Sequence, residues 1–248
     1  MVKPVLLIRG DNNESDEVAL SKLGIPAIID PYLEINVASD HSGGLHLLEL
    51  LESADAPLWL IATSVNSLKF WGSIVGQDRL RKAIAVQKHV QFAAVGETTA
   101  EALREYGAGN VLIPKEATAK SLADELVAAF PVGHALIPGG NLAMRTLPTT
   151  LTSAGWEVST AVVYITSRVE EEPKSAQMVR ENQVGAILFR SPSAVRALTH
   201  FVSQPSVPLV CAGVTTAEAV EQQGLTVAAL SPSPSAEVVA STIYSLLS

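Results

Sequence analysis

Short runs made almost wholly of Val, Ile, Leu, Ala and Phe recur along the chain at residues 5–8, 58–62, 92–95, 135–137, 186–189 and 209–212. Each leads into a stretch whose apolar residues return at helical spacing. The runs are apolar at every position rather than at alternate ones, as strands covered on both faces are, so the pattern predicts α/β layers built on parallel sheets. Gly24, Gly107, Gly155 and Gly224 fall just past the ends of helical stretches, where a helix commonly finishes on a left-handed residue.

The alternation contains a repeat. GETTAEALREYG at 96–107 and GVTTAEAVEQQG at 213–224 have the same length between their glycines. LIATSVNSLKF at 60–70 matches ILFRSPSAVRA at 187–197, which aligns Ser64 with Ser191, Asn66 with Ser193 and Lys69 with Arg196. A looser pair sets 6–35 against 136–166, with Gly24 on Gly155 and Tyr32 on Tyr164. Two like domains are therefore expected. The looser segment comes last in the middle of the chain but first at the N-terminus. That order predicts one continuous domain over 40–161 and another assembled from 1–35 plus 168–248, with crossings at 32–40 and 162–169 side by side as a two-stranded β ladder and hinge.

Each repeated turn leaves a strand through a hydroxyl-rich corner and enters a helix. In TTAE, Thr98 and Thr215 are the expected N-caps, with Glu101 and Glu218 three residues on, the spacing of a capping box. Gly96 and Gly213 allow a tight turn, and Thr99 and Thr216 should point off the strand end beside free N–H groups. Ser64 and Ser191 are further N-cap candidates, with Pro192 at the favoured first helical position. Any one such turn needs its hydroxyl only to cap a helix. Recurrence at matched places in both domains points instead to a ligand. Ligands of open parallel sheets sit outside the carboxyl ends of the strands, and helix N-termini favour anions. The expectation is a cleft between two flavodoxin-like domains that takes one large, multiply anionic molecule.

Composition narrows the chemistry. The 248 residues are 48% hydrophobic, enough for a substantial core. The mean hydropathy of +0.28 comes from Ala, Val and Leu spread along the chain. No run of about 20 apolar residues suggests a membrane span. The opening MVKPVLLIRGDNN lacks the pattern of a signal peptide, and with the single cysteine, Cys211, this gives a cytoplasmic protein as the expectation. The five histidines, at 41, 46, 89, 134 and 200, show no metal-ligand spacing, and neither a P-loop nor a Gly-x-Gly-x-x-Gly fingerprint occurs, so no metal and no cofactor is expected. Net charge is −8 with no basic block, which argues against nucleic acid as a partner. Arg9, Lys69, Arg145 and Arg196 are the cations that could add charge near an anion, with a solvated surface role the equal alternative for each, while Phe70, Trp71, Trp156 and Cys211 read as packing residues.

Taken in order, IRG near the N-terminus, LIATSVNS, AAVGETTAEALREYG, LIPGG followed by AMRTLPTTLTSAGWEV, VVYIT, LFRSPSAV, AGVTTAEAVEQQGL and SPSPSAEVV resemble the uroporphyrinogen-III synthase family over nearly the whole chain. The chain departs from the family at Ile8-Arg9-Gly10, where Thr-Arg-Pro is frequent, and at Pro138, where an arginine is. The resemblance implies two α/β domains, the first discontinuous, joined by a two-stranded ladder. It implies a cofactor-free lyase that closes hydroxymethylbilane, a linear tetrapyrrole bearing eight carboxylates, to uroporphyrinogen III in haem biosynthesis. Ring D is inverted through a spiro intermediate. Tyr164, in VVYIT, matches a family tyrosine and becomes the catalytic candidate. The implied substrate-binding residues are Arg9, Thr63, Ser64, Asn66, Gly96, Thr98, Thr99, Gly139, Gly140, Ser191, Ser193, Gly213, Thr215 and Thr216. A monomer is expected, in transient contact at most with the preceding enzyme of the pathway. A hinged two-domain binding protein for a polyanionic small molecule would share the same architecture. A phosphoacceptor signalling domain is disfavoured, because Asp11 has no matching acidic pair.

Overall fold

The computed structural model describes residues 2–248. The chain opens with β1 (Val5–Leu7), α1 (Glu14–Lys22) and β2 (Ala27–Ile29), then runs through β3 (Leu33–Val37). A long middle part follows: α2 (Ser42–Glu52), β4 (Leu58–Ala62), α3 (Val65–Val75), α4 (Gln77–Val86), β5 (Val90–Ala94), α5 (Glu97–Glu105) and β6 (Val111–Leu112). It continues through α6 (Ala119–Ala129), β7 (His134–Gly140), α7 (Thr146–Ser153) and β8 (Glu157–Arg168). The last part is α8 (Ser175–Arg180), β9 (Ala186–Phe189), α9 (Pro192–Phe201), β10 (Leu209–Cys211), α10 (Val214–Gln222), β11 (Ala229–Leu230) and α11 (Ala236–Leu247).

These elements form two compact units, one made of the residues up to Ile35 together with Ser167–Ser248, the other of Asn36–Thr166. The first unit holds a five-stranded sheet in the order β11-β10-β9-β1-β2, and the second a six-stranded sheet in the order β3-β8-β7-β4-β5-β6. Pairing is parallel from β2 to β11 and from β8 to β6. Matching β1 with β7, β2 with β8, β9 with β4, β10 with β5 and β11 with β6 reproduces the same spatial order in both sheets. One unit is therefore a circular permutation of the other. β3 and β8 lie next to each other at the sheet edge, and Ala38 N–H donates to Val163 O while Val169 N–H donates to Tyr32 O, both at 3.1 Å. The partners count upward on one strand and downward on the other, which is the sense of an antiparallel ladder.

The all-apolar runs are buried on both faces, as parallel strands require. In the first sheet Leu6, Ile187 and Phe189 pack to one side and Val5, Leu7 and Leu188 to the other. In the second, Leu60 and Phe92 face one layer while Trp59, Ile61 and Ala93 face the opposite one.

The helix ends follow from sequence. Gly24, Gly107, Gly155 and Gly224 all have positive φ, between 71° and 98°. Each closes a Schellman motif: for α1, Ile25 N–H reaches Leu20 O at 3.0 Å and Gly24 N–H reaches Ser21 O at 2.9 Å. One helix has a sequence that argues against it. α2 begins SGGLH, with two glycines in its first turn, a composition that costs about 1 kcal/mol per glycine relative to alanine. Tertiary packing compensates. Gly44 lies against Trp71 and Ile74, and the buried Trp71 donates its indole N–H to Gly44 O at 2.8 Å.

Candidate active site

In a parallel sheet every strand delivers its carboxyl end to one edge. In the first unit that edge gathers the loop after β1, which carries Arg9, the turn of Ser191 and Ser193 after β9, the turn of Gly213 and Thr215 after β10, and the serine-proline loop 231–235 after β11. In the second unit it gathers Thr63, Ser64 and Asn66 after β4, Gly96 and Thr98 after β5, and Gly139 and Gly140 at the end of β7.

The repeated turns are of two physical kinds. Ser64 caps α3, its Oγ accepting from Asn66 N–H at 3.1 Å, and Ser191 caps α9, its Oγ accepting from Ala194 N–H at 3.3 Å and lying 2.9 Å from Ser193 Oγ. These hydroxyls satisfy their own helices. Ser64→Ala and Ser191→Ala should each lower stability by about 1 kcal/mol, measured by urea denaturation, whereas Thr98→Ala and Thr215→Ala should stay within about 0.5 kcal/mol.

The two TTAE turns do not contain the capping box expected of them. The N-caps are Gly96 and Gly213, with no side-chain cap bond, and Thr98 and Thr215 already lie in the first helical turn. Thr99 and Thr216 also depart from expectation, since they are 8% and 2% exposed and turn into the protein. Both follow from where the helix starts. Beginning two residues before the expected cap rotates the second threonine onto the helix's inner face. Nor does the glycine serve a special backbone conformation, because φ is −158° at Gly96 and −164° at Gly213, extended values open to any residue. A Cβ at Gly213 would meet nothing within 4 Å, and one at Gly96 only Ala117 Cβ at 3.6 Å. Thr99 N–H and Thr216 N–H already donate to Gly96 O and Gly213 O, each at 3.1 Å, but a glycine N-cap offers no side-chain acceptor to the N–H groups of Glu97, Thr98, Val214 and Thr215, which precede the first intrahelical bond. Their face is left open, with the positive end of the helix dipole behind it.

Charge at the edge of the first unit is organised by a contact that local sequence does not reveal. Arg190, next to Ser191, makes a two-pronged ion pair with Asp16 of α1, Nε to Oδ2 at 2.6 Å and Nη2 to Oδ1, and also donates from Nη1 to Pro234 O at 2.6 Å. The Asp16 side chain is 2% exposed and that of Arg190 13%. One guanidinium thus ties together the start of α1, the Ser191 turn and the serine-proline loop. Arg9 sits nearby, its own guanidinium donating to Asn12 O at 3.1 Å. Burial, and next the positive charge of Arg190, hold Arg9 below the usual arginine range.

At the edge of the second unit the register of β7 and β8 shifts between Gly139 and Gly140, which places Gly140 opposite Tyr164. The Tyr164 ring lies against Gly140 and stacks at a tilt of 30° on Phe70 of α3, with centroids 5.6 Å apart. Lys69 Nζ stands 5.4 Å from the centroid of the Phe70 ring. Asn141 fixes the strand beside it: its N–H donates to Tyr164 O at 3.1 Å, its side-chain amide donates to Thr166 O at 3.2 Å and its Oδ1 accepts from Thr166 N–H at 2.8 Å. The tyrosine matched to it in the first unit is built differently. Tyr32 is fully buried, its hydroxyl 3.1 Å from Ser175 Oγ, and burial pushes its pKa up to about 12. Only Tyr164 of the pair is partly exposed.

Two permuted parallel α/β units, each presenting hydroxyls, a glycine-capped helix start and a tyrosine or arginine at its strand-end edge, define a class of two-domain α/β proteins. The family model described as uroporphyrinogen-III synthase HemD matches residues 15–240, and the chain belongs to that family, enzymes of haem biosynthesis. The fold agrees with solved structures. A mutant uroporphyrinogen III synthase of the extremely thermophilic bacterium Thermus thermophilus is 18% identical, with 98% of each chain covered and a TM-score of 0.62. Uroporphyrinogen-III synthetase of Helicobacter pylori is 15% identical, with 99% of this chain and 100% of that one covered and a TM-score of 0.63. Family membership decides between the two expectations in favour of the enzyme over the hinged binding protein.

Proposed function

We propose that this chain is a hydro-lyase that closes hydroxymethylbilane to uroporphyrinogen III. The terminal hydroxymethyl group loses its oxygen as water, which needs one proton delivered to that oxygen, and leaves an azafulvene electrophile. Ring D attacks through its substituted carbon and forms a spiro intermediate. The bond from that carbon to its original bridge then breaks, the bridge rejoins at the free carbon, and loss of a proton restores the pyrrole. Ring D ends inverted. Atoms balance with water as the only other product, so no oxidant, reductant or group donor is required.

The observation that carries this reading, beside the family, is the phenol of Tyr164 held at the strand-end edge by Gly140, Phe70 and Asn141. It is the proposed proton donor to the departing hydroxyl. The carboxylates fall to backbone N–H groups at the Gly96 and Gly213 turns, to Arg9, and to the hydroxyls of Thr63, Thr98, Ser193 and Thr215, with Ser64 and Ser191 shaping their turns and Asn66 and Gly139 lining the edge. Net hydrogen bonds to charged groups contribute about 1.5–3 kcal/mol each. Several distributed over two edges hold a polyanion without a basic patch, which fits a protein of net charge −8. Much of the catalysis is then positioning, the folded substrate presenting the substituted carbon rather than the free one. Thr99 and Thr216, being buried, serve packing rather than the carboxylates.

The deciding experiment incubates the protein with hydroxymethylbilane generated in situ and identifies the isomer; formation only of the product without ring inversion would overturn the reading. The proposal includes neither metal nor nucleotide. Among the described residues no group of three or more His, Cys, Asp or Glu is placed to hold a metal ion. Turnover should persist after exhaustive chelation without added nucleotide, and loss of activity restored by a single metal would refute that part. A monomeric, cytoplasmic enzyme is the accompanying proposal; among the described residues no helix is long and apolar enough to cross a membrane.

A further inference from the structure

We propose that Gly140 is a positioning residue for the Tyr164 phenol, the room left by its missing Cβ being the room the ring occupies. The inference rests on the reading above, in which Tyr164 acts on the substrate. A Cβ at Gly140 would overlap the ring at Cε2 and would stand 2.5 Å from Cζ and 2.9 Å from the phenolic oxygen. The conflict falls at the hydroxyl-bearing end of the ring. Gly140 is not among the glycines with positive φ, so conformational freedom is not what this glycine supplies.

The backbone around the ring is held against the shift that an added methyl group would demand. Asn141 clamps the backbone of Tyr164 and Thr166 through three hydrogen bonds, which keeps β8 from sliding away. Phe70 stands against the ring at 5.6 Å. The remaining freedom is rotation of the Tyr164 side chain, and rotation moves the hydroxyl farther than any other atom. The first unit shows that the arrangement is specific. Gly10, which stands where Gly140 does when the matched segments are aligned from Leu6 and Leu136, would bring a Cβ to 2.9 Å from the backbone oxygen of Leu33, so there the glycine makes room for main chain, and Tyr32 is tied away to Ser175.

Four variants test the proposal: Gly140→Ala, Tyr164→Phe, Tyr164→Ala and the double variant Gly140→Ala/Tyr164→Ala, each measured for kcat, KM and thermal midpoint. Displacing a catalytic group by an ångström costs about a hundredfold, so Gly140→Ala should lower kcat by about tenfold to a hundredfold while KM moves much less. Added to Tyr164→Ala, the same substitution should change neither kcat nor the midpoint, because the ring it would strike is gone. Unchanged kcat in Gly140→Ala, or an equal loss in both backgrounds, would overturn the proposal. Should Gly140→Ala fail to fold, the double variant must fold, and its failure would show that the glycine serves the backbone. Tyr164→Phe separates this inference from the one beneath it. Undiminished turnover there removes the proton-donor role, whereas the coupling of positions 140 and 164 in the thermal midpoint still decides the seat.

Discussion

Tyr164→Phe is expected to lower kcat by about 10²–10⁴-fold, the contribution of a positioned general acid, while KM changes far less. Phenylalanine keeps the ring that lies over Gly140 and stacks on Phe70, so packing survives and only the hydroxyl is lost. The thermal midpoint should accordingly stay near that of the parent, and the isomer formed should still carry ring D inverted, because positioning of the substrate is left intact. Tyr164→Ala should lose both activity and stability, since a partly buried aromatic ring is removed. The measurement is steady-state kinetics beside thermal unfolding for both variants. A Phe variant with almost unchanged kcat rules out proton donation by Tyr164, and departure of the hydroxyl would then be assisted by the substrate's own carboxylates.

Asp16→Ala should destabilise the protein by about 3–5 kcal/mol, the cost of breaking a buried ion pair from one side. The reason is the Arg190 charge left behind. Its side chain is 13% exposed, and without Asp16 the guanidinium keeps the bond to Pro234 O but loses its carboxylate partner. Removing both charges with Asp16→Leu/Arg190→Met should cost less than Asp16→Ala alone, because the Arg190 charge is not left without its partner. Urea denaturation followed by circular dichroism gives the comparison. A loss below about 1 kcal/mol for Asp16→Ala would place the pair with exposed salt bridges, which contribute little. The same substitution should also raise KM, since Arg190 holds the Ser191 turn and the loop at Pro234 on the edge assigned to substrate.

Much of the α/β fold is legible from local rules. The all-apolar runs at 58–62 and 186–189 are β4 and β9, central strands covered on both faces. The four glycines at 24, 107, 155 and 224 end their helices as a left-handed residue must. Ser64 and Ser191 cap their helices because a short hydroxyl beside the first turn has few better partners. The TTAE segments mislead for a related reason. Thr98 and Thr215 have the chemistry of an N-cap, but the strand delivers the chain to the helix two residues earlier, at Gly96 and Gly213. The sheet's geometry outweighs the capping preference, which is a term of about 1 kcal/mol.

The sequence by itself determined the alternation of strands and helices, the repeat, the glycine-closed C-terminal ends of four helices and the family. All of these depend on residues close in the chain or on patterns that survive permutation. Only the tertiary structure decided which groups act on one another at the candidate site. Asp16 and Arg190 are separated by 174 positions, and their pairing becomes visible once β1 and β9 are neighbours in the sheet. The helix α2 exists despite two glycines in its first turn because Trp71 covers it. Tyr164 and its repeat partner Tyr32 look alike in sequence. One becomes a buried strut and the other a partly exposed phenol, because the register shift at Gly139 and Gly140 sets the second ring against a residue without a side chain. Side-chain roles of this kind are set by distances of a few ångströms between strands, and packing fixes those distances.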